Sequence, residues 1–534
     1  MAGRPSRWSW ILGLAVLVGG QVMAGETLEQ RVEAVIRSPG YESGHWGLLV
    51  VDGKNGQTVF ERNADQLFCP ASVTKLFTTA AALSDLGADH RFVTPVVRRG
   101  EVKDGVLLGD LILVGQGDPC LGGRTGEDGS LRFVNDDHIY ANGNPHSGVV
   151  SGDPLAGLDH LARDVMAGGI KAVTGDVLVD DRLFEPTSST GSGPSKVSPV
   201  VVNDNVVDVV VTPGAIAGMP ADVRLIPVTA FLTADIQVET TGADQPPALT
   251  VSAAGPRRCG VRGHVPVGHA PLVRIAEVDD PASFARTLFI EVLRRRGVKV
   301  EAASVADNPG DKLPSRAEVA GLPQVAEYTS PPLREYVRVI LKVSHNLHAS
   351  TLPMLLAAHH GQTTLAEGLK VEGRLLRQLG VEPGSVSFGG GAGGSRADLA
   401  TPRATVTLLR AMMARPDFLA YESALPVLGR DGTLARALAP TSPARGHARA
   451  KTGTYTIDNG LDGQAVLTSK ALAGYIETAS GRPLVFAFFV NQVPLHVSGD
   501  KESEATAAAG RVLGKLCEVF YTMDAEKPAP ATGP

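Results

Sequence analysis

Cysteine is scarce: four residues, Cys69, Cys120, Cys259 and Cys517, in a chain of 534. So few exclude a disulfide scaffold as the basis of the fold. They still permit three complete pairings, and nothing in the sequence selects one. Cys69 lies just ahead of Ser72 but has no histidine beside it, so it reads as a packed or bridged thiol rather than a nucleophile. Excess positive charge is also lacking. With 50 Lys and Arg against 56 Asp and Glu the formal net charge is -6, and no basic stripe or tail is available to neutralise phosphates, which excludes nucleic acid as a partner. Beyond the first residues no apolar run is long enough to span a bilayer. The 13 histidines include no H-E-x-x-H, and His345, His348, His359 and His360 have no carboxylate motif beside them, so no metal is expected. Neither a Walker A loop nor a G-x-S-x-G elbow is present. "GGGAGG" at 389–394 satisfies G-x-G-x-x-G, but the next helix is predicted only from Thr401, so no dinucleotide or other cofactor is expected.

What is present begins with an address. Arg4 and Arg7 precede the apolar "WSWILGLAVLVGG", and Val22-Met23-Ala24 supplies small residues at a cleavage spacing, so residues 1–24 read as a signal peptide and the mature chain as exported. The remainder, 43% hydrophobic and 20% charged for the whole chain, suffices for several cores. "LEQRVEAVIRS" has helical spacing, and "HWGLLVVDGKNGQTVFE" reads as two strands around a turn. A helix opens at Pro70 and stops at Gly87. From Phe92 to Pro323 short β-rich runs separated by Gly, Pro and Asp read as a separate, largely β insertion, with "TSSTGSGPSK" at 188–197 as a surface loop. Helical spacing returns with Ser330-Pro331 as cap and first turn, and again at Thr401-Pro402. "HARAKTGTYT", "LAGYIETA" and "LVFAFFVN" read as strands, the last two as a hairpin around "SGRP", before a final amphipathic helix. The spacing therefore predicts one α/β domain assembled from both ends of the chain, residues 25–91 and 326–523, with 92–325 inserted and 524–534 a disordered tail.

Three short motifs carry chemistry. A serine hydroxyl needs a base within reach, and Lys75, three residues after Ser72 on a predicted helix, shares its face. Burial among small and apolar residues would lower the lysine pKa enough for it to act as that base. Ser-x-x-Lys alone is a weak signal in a chain this long. Ser344-His345-Asn346 adds a second hydroxyl that can relay a proton and an amide that can hold the lysine and the substrate backbone. Lys451-Thr452-Gly453 adds a cation for a substrate carboxylate, one that also depresses Lys75, and a glycine for close approach of the substrate backbone; the backbone N–H of Thr454, with that of Ser72, would complete an oxyanion hole.

In this order the motifs are the signature of β-lactamases and penicillin-binding proteins. The chain resembles the D-alanyl-D-alanine carboxypeptidase family of low-molecular-mass class C penicillin-binding proteins, which carry a large insertion between the first and second motifs. "GDLILVGQGDPCL", "SPVVVNDNVVDVVVTPG", "LPVLGRDGTLARAL" and "LAGYIETASGRPLVFAFFVN" extend the likeness over most of the chain. The resemblance implies an antiparallel sheet flanked by helices, the penicillin-binding or β-lactamase-like transpeptidase fold of α/β (α+β) class, with an inserted β-rich part of one or two domains. It implies a serine D-Ala-D-Ala carboxypeptidase, with DD-endopeptidase activity open, acting on peptidoglycan stem peptides in the periplasm or cell envelope. β-Lactams are implied as inhibitors, and peripheral association with membrane or wall is compatible. A β-lactamase or esterase on the same core, and a wall-binding scaffold with a decayed site, are the rival readings. Three departures bear on them: His345 replaces the usual acidic residue, Gly390 and Ala392 stand where Asp and Ser are typical, and "TYTIDNGLDGQAVLTSKA" offers a long lid or rim loop.

Overall fold

The computed structural model describes residues 26–144, 147–499 and 501–524; the expected leader, and the expected tail apart from Asp524, lie outside them. The strand "LVFAFFV" is apolar at every position because it is buried on both faces. Phe486, Phe488 and Val490 pack with one side of the sheet, and Val485, Ala487 and Phe489 with the other. This strand, β5 (Pro483–Pro494), pairs antiparallel with β4 (Ala465–Glu477) and with β1 (His45–Asp52). β3 (Ala448–Asp458) and β2 (Thr58–Arg62) form the edges, giving the order β3-β4-β5-β1-β2. Residues far apart in sequence thus share one sheet.

Helices cover both faces. On one side α1 (Leu28–Ile36) and α7 (Lys501–Tyr521) bury Val32, Val35, Ile36, Leu513, Leu516 and Phe520 against Leu48, Val50, Phe486 and Phe488. On the other lie α2 (Thr74–Leu86), α3 (Leu333–Val343), α4 (Asn346–His359), α5 (Leu365–Gln378) and α6 (Pro402–Met413). α2 is buried from Thr74 to Leu83, so packing on all sides holds it in place, and Gly87 at φ 85° ends it. Thr401 caps α6 by accepting the N–H of Ala404, with Pro402 in the first turn, as the sequence indicates. Ser330 is not the expected cap. Its hydroxyl accepts Phe92 N–H and donates to Pro331 O, and the helix starts at Leu333 after Pro332.

The inserted segment enters and leaves through adjacent antiparallel strands, Val93–Lys103 and Gln324–Thr329, with Val93 opposite Thr329. Neighbouring ends let a long segment be accommodated without stretching the surrounding fold. The exit strand runs past the expected boundary at 325. These strands belong to a six-stranded mixed sheet, and two three-stranded sheets share a second core of Val209, Val211, Val261, Val265 and Leu272. The texture is less purely β than expected: helices Ala156–Ala167 and Pro281–Arg295 fill the six-stranded sheet's core with Leu158, Leu161, Val165, Phe284, Leu288 and Leu293.

Candidate active site

The turn carrying Ser72 is a short 3-10 segment, Ala71–Val73, immediately ahead of α2. Ser72 therefore precedes the α-helix proper rather than lying inside its first turn. Ala71 adopts φ 45°, a left-handed conformation unusual for a residue with a side chain. Neighbours hold it there. The carbonyl of Cys69, two residues ahead, accepts hydrogen bonds from Ser469 Oγ (2.6 Å) and Asn491 Nδ2 (3.2 Å), and Asn491 Oδ1 accepts Cys69 N–H (2.8 Å). Gly453 also serves the fold itself. A Cβ there would lie 2.3 Å from the Pro70 carbonyl oxygen, so its missing side chain lets β3 lie against the Ser72 turn.

Lys75 is fully buried, and its Nζ has three neighbours: Ser72 Oγ at 2.8 Å, Asn346 Oδ1 at 2.8 Å and the Ala392 carbonyl at 2.6 Å. The two carbonyl oxygens can only accept. When the amine is neutral they take its two N–H bonds and leave its lone pair for the Ser72 hydroxyl. Burial lowers the lysine to about 7, against Asp137 and Asp398, which both favour the ammonium. Desolvation, and not the expected charge of Lys451, lowers Lys75. Lys451 is itself buried, donating to Ser344 Oγ (3.0 Å) and Thr452 O (2.7 Å), and is pushed well below the usual lysine range by burial and then by the Lys75 charge.

Ser344 is the C-cap of α3, at the break between α3 and α4. Its φ of 64° and ψ of 36° reverse the chain between α3 and α4 and turn its hydroxyl toward Lys451. Asn346 begins α4. Its backbone N–H and its Nδ2 both donate to Asp137 Oδ2, at 2.9 and 2.8 Å, which fixes the amide so that Oδ1 faces Lys75. Asp137 comes from the inserted segment. So does Asp204, whose carboxylate accepts from His348 Nε2 (3.0 Å) and His138 Nδ1 (2.7 Å) and lies 3.5 Å from His345 Nε2. His345 thus has a buried structural setting, stacked on His348 with ring centroids 3.9 Å apart. The expectation that these histidines lack a carboxylate fails, because the carboxylate arrives through the tertiary fold. Among the described residues, Cys120, Asp204 and His348 offer donor atoms within 4.8 Å of one another and form a set that could hold a metal ion. The same donors are engaged with each other, with Cys120 Sγ 3.8 Å from His348 Nε2, and through Asp204 with His138 and Arg124. Among the described residues all four cysteines are unbridged.

The network placed in doubt by Gly390 and Ala392 is supplied another way. The glycine-rich loop offers backbone carbonyls, Ala392 O to Lys75 and Gly391 O to Thr78 Oγ1, and Asp398 secures it by accepting from Gly389 N and Ser395 N, each at 2.8 Å. Side chains there would not fit: a Cβ on Gly390 would meet Thr190 Oγ1 at 2.0 Å, so the 188–197 loop packs against this segment. The stretch after Lys451 is no lid. Pairing of β3 with β4 continues to Asp458 opposite Ala465, and only 459–464 turn.

Ser72, Ser344, Thr452 and Thr454 line one cavity of about 320 Å³, together with Thr433, Arg436 and Lys470. Thr452 Oγ1 donates to Thr433 Oγ1 of the Gly-Thr-Leu segment at 2.8 Å. The structure therefore brings together Ser72, Lys75, Ser344, Asn346, Lys451, Thr452, Gly453 and Thr454. Asp137, Asp204, Asp398, Asn491 and Lys470 were not found from sequence; apart from Asp398, which closes its own loop onto Gly389 and Ser395, each lies on a different element from the group it contacts. Chemically, the arrangement joins a hydroxyl, a neutral amine and a cationic pocket, as acyl transfer next to an anionic group requires.

Comparison with known proteins agrees with this geometry. The profile of the D-Ala-D-Ala carboxypeptidase 3 (S13) family matches residues 28–513. A D-alanyl-D-alanine carboxypeptidase from an Actinomadura species is 31% identical over 465 residues, covering 82% of this chain and 78% of the relative. The D-alanyl-D-alanine carboxypeptidase DacB of Haemophilus influenzae is 22% identical over 488 residues, 88% of this chain and 89% of its own. The crystal structure of penicillin binding protein 4 (dacB) from Haemophilus influenzae superposes with a TM-score of 0.66 at 20% identity, over 90% of this chain and 98% of that one, and so shares its fold. With a hydroxyl, a buried amine and an anion pocket in one cleft and a family match along nearly the whole chain, this protein belongs to the D-Ala-D-Ala carboxypeptidase 3 (S13) family of peptidases.

Proposed function

We propose that the chain is an exported serine D-alanyl-D-alanine carboxypeptidase of the cell envelope, acting on peptidoglycan stem peptides through an acyl-enzyme on Ser72 and open to acylation by β-lactams. Residues 25–91 and about 326–523 form the catalytic unit, and 92–325 the inserted part. The observation that carries the reading is the Lys75 amine, 2.8 Å from Ser72 Oγ with two carbonyls occupying its N–H bonds. Lys75 takes the Ser72 proton as Oγ attacks the carbonyl carbon of the terminal D-Ala-D-Ala bond. The backbone N–H groups of Ser72 and Thr454 hold the oxyanion. On collapse the C–N bond breaks, and the leaving amine receives its proton from Lys75 through Ser344, whose hydroxyl is in contact with Lys451. Water then adds to the ester while the again neutral Lys75 takes its proton, and Ser72 is released protonated. Lys451 and Thr452 receive the substrate carboxylate.

Incubation with a fluorescent penicillin tests the scheme. Stable labelling that Ser72→Ala abolishes supports it; rapid release of hydrolysed drug would favour a β-lactamase, and absence of labelling a non-catalytic wall-binding protein. A mass increase on Ser72 equal to that of the intact drug identifies the ester. No helix among the described residues is long and apolar enough to cross a membrane.

A further inference from the structure

Lys470 is a cation that the fold buries without an acid to balance it. It stands on β4 opposite Thr454 of β3, is 8% exposed, and donates from Nζ to Thr454 Oγ1 at 2.8 Å. Among the described residues no carboxylate pairs with it, and burial alone lowers it, to about 8. α7 passes close to it at Gly510, where a Cβ would lie in ordinary contact, 3.5 Å from Lys470 Cε. An ammonium taken out of water without a counter-ion costs stability, and such a residue signals an anion supplied from outside. Its position indicates which anion. Lys470 lines the same cavity as Ser72, Thr452 and Thr454. Because the Thr454 oxygen accepts from Lys470, its own O–H is turned away from the lysine and polarised for donation into that cavity.

We propose that Lys470, outside the three motifs, is a specificity-determining residue of the carboxylate subsite: through the Thr454 hydroxyl it strengthens binding of ligands with a free carboxylate over neutral analogues. The inference rests on the peptidase reading above. It divides the labour between two lysines. Lys451 is held far down by burial and by Lys75 while the site is empty, whereas Lys470 is displaced less and keeps its proton near neutral pH.

The test compares wild type, Lys470→Met and Lys470→Arg with two acylating probes, benzylpenicillin and its neutral methyl ester, reading the second-order rate constant for each. In Lys470→Met the acid-to-ester ratio falls about tenfold, the scale of one charge-assisted hydrogen bond, and Lys470→Arg recovers part of it. Lys470→Met also melts no lower than wild type, because an unbalanced buried charge has gone. A ratio that does not move, or an equal loss on both probes, overturns the proposal. A second measurement needs no acylation: N-acetyl-D-alanine, but not its amide, raises the melting temperature of wild type and Lys470→Arg more than that of Lys470→Met, and equal shifts overturn the proposal. If neither penicillin acylates wild type, the peptidase reading fails, and the N-acetyl-D-alanine shift still decides the role of Lys470.

Discussion

Replacing Asp137 with Asn tests how the inserted segment governs the proposed base. Asp137 Oδ2 accepts two hydrogen bonds from Asn346, whose Oδ1 in turn accepts from Lys75. An asparagine at 137 presents one acceptor and one NH2 group where two N–H donors now converge. The Asn346 amide loses a charge-assisted partner worth about 1.5–3 kcal/mol, so acylation should slow by about 10- to 100-fold. The charge has a separate consequence. Asp137 favours the protonated form of Lys75, which titrates at about 7. Through the Asn346 side chain the two charges are roughly 7 Å apart, which at an effective dielectric of about 20 corresponds to about 2 kcal/mol, or about 1.5 pH units before screening. Only neutral Lys75 can take a proton, so the acid limb of acylation follows its pKa. Removing the negative charge must move that limb to lower pH, by about 1 unit after screening. Stopped-flow acylation by a chromogenic cephalosporin between pH 5 and 9 measures both effects. A slower variant with an unmoved limb reduces Asp137 to a structural strut; a limb moved to higher pH refutes the electrostatic argument.

Gly453→Ala places a methyl 2.3 Å from the Pro70 carbonyl oxygen and should cost acylation by penicillin far more than it costs melting temperature, because the displaced neighbour is the nucleophile turn. Phe488, completely buried between β5 and α7, should cost about 3–5 kcal/mol in urea unfolding when truncated to Ala. Glu372 is buried, its Oε1 accepts from Thr78 Oγ1 (3.1 Å), and burial pushes it up from 4.5 to about 8. The folded state therefore holds a proton that the unfolded chain releases near 4.5, so stability falls as pH rises from about 4.5 to 8. Glu372→Gln should flatten that decline and melt higher at pH 8; an unchanged slope would show that Glu372 ionises in the native protein as it does in the unfolded one.

Much of the fold was written locally. The capping pair Thr401-Pro402, the continuous apolar strand at 484–490 and the terminator Gly87 act over a few residues, and each element forms where its pattern places it. Two signals were present and misread. Asp280-Pro281 caps the helix Pro281–Arg295 inside a segment whose short Val-rich runs suggest only strands, and the turn residues at 459–463 lie in the middle of a hairpin that reads as a loop. Ser72, Lys75, Ser344, Asn346 and Lys451 were legible as short motifs, and the structure gathers their side chains into one place. What those groups do at neutral pH was not.

The sequence by itself determined which side chains this protein has for chemistry and which stretches become helix or strand, since both depend on neighbours within a turn or a pleat. Only the tertiary structure decided that Lys75 is buried between two carbonyls, that Asp137 orients Asn346 from 209 residues away, and that Lys470 meets Thr454 with no counter-ion among the described residues. Proton affinity and ion pairing are set by desolvation and by charges a few ångströms off in space, and those distances come into being only when the chain has closed on itself.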